Sequence, residues 1–340
     1  MNKTKILLVG FGNIGRSILK IISNYPDLEI VGIVTRRKSS IEDELKEFLC
    51  PFKIYDLKDF EGYANCGADV AIMCGGSKDD LPKQTPFFAK LFNVVDSFDT
   101  HRHIGRYFDE ETKQPMLGHL ETTNNVCLNS DHTACIGVGW DPGAFSLMRA
   151  FFKASLGNSD VHSFYGITDD GGLSMGHSNA LKEIPGVIDA RQYTHAKREV
   201  ISLAKSGKKV KISNKEKHWR ECKVVISEEF KEEDIKRKII EMPEYFKDYE
   251  TTVEFVCQEK LDLEKDNFRH NGLVVSSNSA GSMEFSNFWN SNPVGTAGFM
   301  LAYARAVKRL NDKGEFGCLT VLDIPVKYLL ENIEEATSLI

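Results

Sequence analysis

Two acidic segments offer the first chemistry in this sequence. Asp96-Ser97-Phe98-Asp99 follows the apolar pair Val94-Val95, and Gly139-Trp140-Asp141-Pro142-Gly143 follows an apolar run ending at Val138. Each sets a carboxylate just beyond an expected strand, and paired carboxylates there suit a positively charged amine, as anchors or as proton acceptors. Asp96 reads equally well as a turn former or helix cap.

A second group of residues says what such carboxylates would work beside. Gly10, Gly12 and Gly15 fit G-x-G-x-x-G between an expected strand (residues 5–9) and an expected helix (residues 13–23). In that context the first glycine makes the turn, the second admits a pyrophosphate and the third packs helix on strand. About twenty residues beyond Gly15, where a site for the unphosphorylated dinucleotide carries Asp or Glu, stands Thr35-Arg36-Arg37, the exchange expected for a ribose 2′-phosphate. A solvated loop is the plainer reading of Arg36, Arg37 and Lys38. The order strand, glycines, helix, strand, arginines favours NADP. Asp99 and Asp141 then fall at the sheet end where a nicotinamide would be held.

The elements that must position these residues alternate. Strands are expected at residues 29–34, 68–73, 94–95 and 134–138, which implies a doubly wound parallel Rossmann sheet of the α/β class. Ligands bind such sheets beyond the carboxyl ends of the strands, hence at Phe11 to Ile14, Thr35 to Arg37, Cys74 to Ser77, Asp96 to Asp99 and Gly139 to Pro142. After residue 143 the pattern changes to that of an α+β domain with an antiparallel sheet. It has a helix at 145–152, strands at 162–166, 199–204, 223–227 and 251–258, and a solvated charged helix over 228–238. The loop Gly171-Gly172-Leu173-Ser174-Met175-Gly176-His177-Ser178 offers backbone N–H groups to a carboxylate, or is a plain linker. His218, Arg220 and His270 read more readily as structural or surface residues than as ligands. A small-residue helix at 296–310, the run 320–325 and a short terminal helix complete the chain. The expected division is 1–142 for the dinucleotide, 143–291 for substrate and dimerisation, and 292–340 packing back on the first domain.

Composition sets the outer bounds. The 340 residues, 41% hydrophobic and 27% charged with a net charge of −6, suit a globular protein of two domains and give no sign of a nucleic-acid or anionic-membrane partner. No secretory signal or membrane-spanning run is apparent, so a cytoplasmic location is expected. The eight cysteines, at 50, 66, 74, 127, 135, 222, 257 and 318, form no C-x-x-C pair, which argues for free thiols and against a disulfide framework or a metal site.

The whole chain resembles the meso-diaminopimelate dehydrogenases. The resemblance is carried by Gly10-Phe11-Gly12-Asn13-Ile14-Gly15-Arg16-Ser17, Thr35-Arg36-Arg37, Val95 to Asp99, Gly139 to Gly143, Leu173 to Ser178, Ile184-Pro185-Gly186-Val187, Gln192-Tyr193-Thr194, His218 to Cys222 and Arg269-His270-Asn271-Gly272. It implies reversible NADP-dependent oxidative deamination of the D-centre of meso-2,6-diaminopimelate to L-2-amino-6-oxopimelate and ammonia, in a homodimer. A broad D-amino-acid dehydrogenase is the alternative within enzymes, and a non-catalytic dinucleotide sensor the alternative outside them.

Carried over by position, the resemblance gives cofactor contacts at Phe11, Gly12, Asn13, Ile14, Thr35, Arg36, Arg37, Cys74, Gly75, Gly76, Ser77, Ser97, Phe98, Asp99, Val138, Gly139, Trp140, Asp141 and Pro142. Substrate contacts fall at Asp99, Asp141, Tyr165, Met175, Gly176, Thr194, Arg220, His270 and Asn292. Arg220 with Thr194 and His270 would hold the distal carboxylate, backbone near Met175 and Gly176 the proximal one, and Asp141 or Asp99 would act as base. The sequence departs from the family pattern at Tyr165, where tryptophan is usual, at His103, where aspartate is frequent, at Met175, where glutamine is frequent, and in an insertion at residues 167–170. These departures bear on substrate breadth.

Overall fold

The computed structural model describes residues 3–46, 52–109, 112–157, 159–243, 245–265 and 267–340. Cys50 lies outside the described residues. The chain separates into two compact units, Met1–Leu147 with Pro293–Ile340, and Met148–Asn292.

In the first unit the strands β1 (Thr4–Val9), β2 (Leu28–Thr35), β3 (Lys53–Asp56), β4 (Val70–Met73) and β5 (Asn93–Asp96) precede a small hairpin of β6 (Tyr107–Asp109) and β7 (Gln114–Met116), then β8 (Thr133–Ile136). The second unit holds β9 (Val161–Tyr165), β10 (Gly172–Leu173), β11 (Val187–Ala196), β12 (His218–Ile226), β13 (Glu250–Phe255), β14 (His270–Asn278) and β15 (Gly281–Trp289), after which β16 (Gly317–Thr320) returns to the first.

The first unit's main sheet runs β16-β8-β5-β4-β1-β2-β3 with every pairing parallel. Its central strands are short continuous apolar runs buried along their length, such as Val-Ala-Ile-Met in β4, because a parallel sheet is covered on both faces. The strand order reverses direction between β1 and β4, the place where such sheets open a ligand crevice. The expected helix after Gly12 spans Asn13–Ile21 and tightens into a 3-10 turn over Ile22–Asn24. The long helix Asn292–Asn311 buries Ala297, Met300, Leu301, Ala304 and Val307 in one core cluster with Ile6, Leu8, Ile33 and Ile72 of the sheet. Arg305, buried on that helix, makes a two-pronged ion pair with Asp27 at 2.5 and 2.6 Å and donates to the Leu329 carbonyl. Instead of the expected terminal helix, two 3-10 stretches follow, Val326–Leu329 and Ile333–Leu339.

The second unit corrects three expectations. Its four-stranded sheet, β10-β11-β12-β13, is mixed rather than antiparallel: β12 and β13 run parallel. The helix Glu232–Ile240 lies between them in sequence, and a helical crossover brings the chain back in the same direction. That helix is not merely solvated, since Ile235 and Ile239 are buried with Cys222 and Val224. Residues expected as a strand at 199–204 are the helix Arg198–Ala204, where Val200, Ile201 and Ala204 recur at helical spacing and pack with Phe164 and Val275. The expected antiparallel sheet is present as a separate three-stranded one, β15-β14-β9, which takes in the strand expected at 162–166.

Candidate active site

The end of the first unit expected to take the nucleotide is built mostly from backbone. Gly10 turns with φ +95°, and its N–H donates to the Val34 carbonyl at 2.8 Å, tying the end of β1 to β2. A Cβ on Gly15 would stand 2.8 Å from the Gly10 carbonyl oxygen, so only glycine lets the helix sit this close. A Cβ on Gly12 would meet no protein atom within 4 Å. Gly12 is the helix N-cap, with no side-chain cap and no acidic residue in the first turn, so the N-terminal N–H groups are left for an anion.

The adjoining pocket is lined by Gly10, Phe11, Gly12, Thr35, Arg36, Arg37, Cys74, Gly75 and Gly76, with Asp80 and Gln84 from the helix after β4. Arg37 donates to the Phe11 carbonyl at 3.1 Å, and its own N–H donates to Thr35 Oγ1 at 3.1 Å. Arg36, 67% exposed at its side chain, pairs with Asp80 Oδ2 at 3.1 Å, and the same oxygen accepts the Gly76 N–H at 3.0 Å. Asp80 and Gln84 escaped the sequence reading. Their one signal was position in the first turns of a helix following the Cys74 to Ser77 segment. The open face at Gly12, the uncapped helix start and two arginines fit a dinucleotide bearing a 2′-phosphate.

Of the other expected cofactor residues, Asn13, Ile14, Gly15, Ser77, Ser97, Phe98, Asp99, Val138, Gly139, Trp140, Asp141 and Pro142 do not line this pocket. Ile14, half-buried, packs against one core cluster, and Phe98 lies buried within another. Cys74 is buried and burial pushes its thiol up, which makes it an inert wall. Ser77 and Asp99 are brought together: Ser77 Oγ donates to Asp99 Oδ1 at 2.5 Å and accepts the Asp99 N–H at 2.9 Å. Trp140 lies beside Phe145 with ring centroids 5.0 Å apart, and the half-buried Asp141 precedes a cis proline.

The second unit gathers side chains instead. Thr194 on β11 pairs across the ladder with Arg220 on β12, and the guanidinium Nη1 donates to Thr194 Oγ1 at 3.4 Å. Arg220 is 6% exposed, stands 4.0 Å over the Tyr249 ring and has Phe246 at 5.9 Å. Burial pulls its pKa down while Tyr249 opposes the shift, and its Nε is a buried donor without a partner. An uncompensated buried guanidinium N–H costs free energy until an acceptor reaches it.

His177, whose Nδ1 lies 2.5 Å from Ser174 Oγ and whose ring meets Tyr245 edge-on, is driven down to about 3 by burial and by Arg220. It is therefore neutral near pH 7. His177 and Tyr249 were not singled out from the sequence, although His177 lies in the Met175-Gly176-His177-Ser178 run. Met175, 42% exposed, and Gly176, with no neighbour near an added Cβ, begin the helix Met175–Lys182. His270 and Asn292 are brought together by one carbonyl, that of Phe268, which takes His270 Nδ1 at 3.1 Å and the Asn292 N–H at 3.0 Å.

Tyr165 stacks on His218 and donates its N–H to His218 Nε2 at 2.9 Å, while His218 Nδ1 faces the Asn214 carbonyl at 3.2 Å. Both ring nitrogens are thus used by backbone, and burial pushes His218 down to about 4, the mark of a structural histidine. The expected insertion at 167–170 is closed onto β14 by Asn271, whose Oδ1 accepts the Ile167 and Thr168 N–H groups and whose Nδ2 donates to Thr168 Oγ1 and the Gly171 carbonyl.

The profile of the diaminopimelic acid dehydrogenase C-terminal domain matches residues 139–289. The meso-diaminopimelate D-dehydrogenase of Acetivibrio thermocellus is 38% identical over 336 residues, 97% of this chain and 95% of that protein. The chain belongs to the meso-diaminopimelate D-dehydrogenase family. Among solved dehydrogenases of this family, that of Corynebacterium glutamicum in complex with DAP superposes with a TM-score of 0.86 at 32% identity, covering 99% of each chain. An engineered D-amino acid dehydrogenase bound to NADP+ superposes at 0.81 with 31% identity, again over 99% of each chain. The parallel seven-stranded sheet and the α+β second unit are the architecture expected for a member of this dehydrogenase family. Among the described residues no cluster of His, Cys, Asp and Glu could hold a metal, the seven described cysteines are free, and no helix is long and apolar enough to cross a membrane.

Proposed function

We propose that this chain catalyses NADP-dependent, reversible oxidative deamination of the D-centre of meso-2,6-diaminopimelate: the substrate, NADP+ and water give L-2-amino-6-oxopimelate, ammonium, NADPH and a proton. The reverse direction supplies diaminopimelate for lysine synthesis. The observation that carries this reading is the buried Arg220, held by Thr194 and Tyr249 with its Nε unpartnered. A guanidinium fork kept dry in this way is matched to a carboxylate that it can take by charge-assisted hydrogen bonds.

The substrate carries an amine and a carboxylate at each end, and only one end reacts. Arg220, Thr194 and His270 take the distal carboxylate, and the backbone at Met175 and Gly176 takes the proximal one. Asp99 and Asp141 hold the reacting amine, and Asp141 removes the proton that frees the nitrogen lone pair. Water then attacks the resulting iminium carbon, and ammonia departs. The nicotinamide supplies the hydride acceptor; the chain's part is to fix the Cα–H at contact distance and to keep the amine end from reversing. Gly10, Gly12, Asn13, Thr35, Arg36, Arg37, Gly75 and Gly76 hold the adenylate and pyrophosphate, while Ser97, Asp99 and Val138 to Pro142 hold the nicotinamide side. We also propose a homodimer formed through the second unit, which one molar-mass measurement tests.

Met175, exposed at a helix start, offers an apolar surface to substrate and favours a second reading, a dehydrogenase that also accepts monocarboxylic D-amino acids. One steady-state experiment decides between them: NADP+ reduction with the meso, L,L and D,D isomers and with a panel of short D-amino acids. The first reading expects turnover with the meso isomer far above every short D-amino acid. Comparable turnover across the panel establishes the second, and no turnover with any compound overturns both.

A further inference from the structure

We propose that Asp96 and His119 are positioning residues for the reaction, holding the turn that carries Asp99 and the turn that leads to Asp141 as a single body. Asp96 ends β5 and is fully buried. Its Oδ1 accepts two backbone N–H groups, one from each turn: Phe98 at 3.0 Å and Gly137 at 3.0 Å. Its own carbonyl accepts the Val138 N–H at 2.8 Å, a second tie to the second turn. One residue therefore fastens both segments at their roots, and each root lies within four residues of a proposed amine-binding carboxylate.

The other carboxylate oxygen fixes the orientation of the first. Asp96 Oδ2 accepts Thr85 Oγ1 at 2.8 Å and His119 Nε2 at 2.6 Å. The His119 ring, itself buried, also lies against Phe98 with centroids 4.2 Å apart, so it braces the first turn a second time. Four donors on one carboxylate leave little rotational freedom, and a satisfied buried network of this kind specifies one arrangement. Neither residue lines the nucleotide pocket, so the network acts through the turns and touches no ligand there.

This positioning role rests on the proposed roles of Asp99 and Asp141, and the experiment separates the two. His119→Phe keeps a ring against Phe98 and deletes the hydrogen bond to Asp96, whereas His119→Gln keeps an N–H within reach of Oδ2. In the full-length protein with meso-diaminopimelate, His119→Phe lowers kcat per folded molecule about tenfold to a hundredfold, the scale of a misplaced reacting group. The NADP+ dissociation constant, read by calorimetric titration, moves by a smaller factor than kcat, because the residues proposed for the adenylate and pyrophosphate lie outside these turns, and His119→Gln recovers most of kcat. A purely structural role lowers Tm in both variants and leaves kcat of the folded enzyme alone. Thr85→Val, which removes one donor and is mild enough to fold, loses kcat in the same sense by a smaller factor. Unchanged kcat in folded His119→Phe and Thr85→Val overturns the proposal, and so does a His119→Gln variant no better than His119→Phe. Asp99→Asn and Asp141→Asn run alongside: if they keep full kcat, the roles of those carboxylates fall; if they lose it while His119→Phe does not, only the positioning role falls.

Discussion

The glycine-lined pocket of the first unit and the arginine cluster of the second, in the roles proposed for them, solve the same problem, holding an anion, by opposite means. The pocket uses bare backbone at Gly10 and Gly12, an uncapped helix start and arginines that remain solvated. The cluster buries one guanidinium against Tyr249 and Phe246 and leaves part of it waiting for a partner. Solvated charges are screened and each contributes modestly, whereas a desolvated charge is worth much when matched and costs much when not. On the roles proposed for these residues, affinity for the nucleotide is spread over many weak contacts, and discrimination of the substrate is concentrated in a single side chain.

The sharpest test of that contrast is Arg220→Met. Truncating one partner of a buried charged contact costs about 4 kcal/mol, nearly a thousandfold in kcat/KM for meso-diaminopimelate. A short D-amino acid, which has no distal carboxylate, should lose far less. Equal losses on both substrates would remove the clamp.

Acid sensitivity should lie with the second unit. His218 is held down to about 4 by burial, so between about pH 6.5 and pH 4 the unfolded chain binds a proton that the folded one refuses, and stability falls as pH falls through that window. The shift corresponds to about 3 kcal/mol. Urea unfolding at pH 7 and pH 4 checks it: His218→Gln should flatten the dependence, and an unaltered slope would assign the acid lability elsewhere. His177, driven down to about 3, adds a contribution of the same sign.

Replacing Arg36 and Arg37 together by alanine should shift preference from NADP+ toward NAD+ by about 2 kcal/mol, roughly thirtyfold in the ratio of their kcat/KM values. An unchanged ratio would mean that neither reads the 2′-phosphate. The smallest effect expected is that of Gly12→Ala. Its methyl group meets no protein atom, so Tm should stay within about 2 °C of the parent while KM for NADP+ rises by about 1 kcal/mol, some fivefold. A fall in Tm with KM intact would show that the space at Gly12 serves packing instead of a ligand.

The same contrast explains what was legible beforehand. Gly10, Gly12, Gly15 and Thr35 to Arg37 lie in one strand-helix-strand segment, so their spacing already encodes their geometry. Thr194 and Arg220 face each other only because β11 and β12 are in a particular register, and Tyr249 reaches the guanidinium from a turn beyond a helical crossover. Nothing local announces such a meeting; those positions were suggested by family resemblance, and Tyr249, Asp80 and Gln84 were not suggested at all. The strand expected at 199–204 failed for a related reason, since Val200 and Ile201 favour strands by type while they pack, with Ala204, on Phe164 and Val275 from one face of a helix. Asp96 read as readily as a turn former or helix cap as a site residue, and its four carboxylate hydrogen bonds come from four separate segments.

All but the first residue of the long helix Asn292–Asn311, together with β16, belongs to the first unit yet leaves the ribosome after the whole of the second. Until they arrive, the face of β1 and β4 that Met300, Leu301 and Ala304 cover is bare, and β8 is an open edge. Vectorial synthesis thus inverts the reading order: the middle of the message can complete its domain first, and the parallel-sheet unit is finished only by a part made after it.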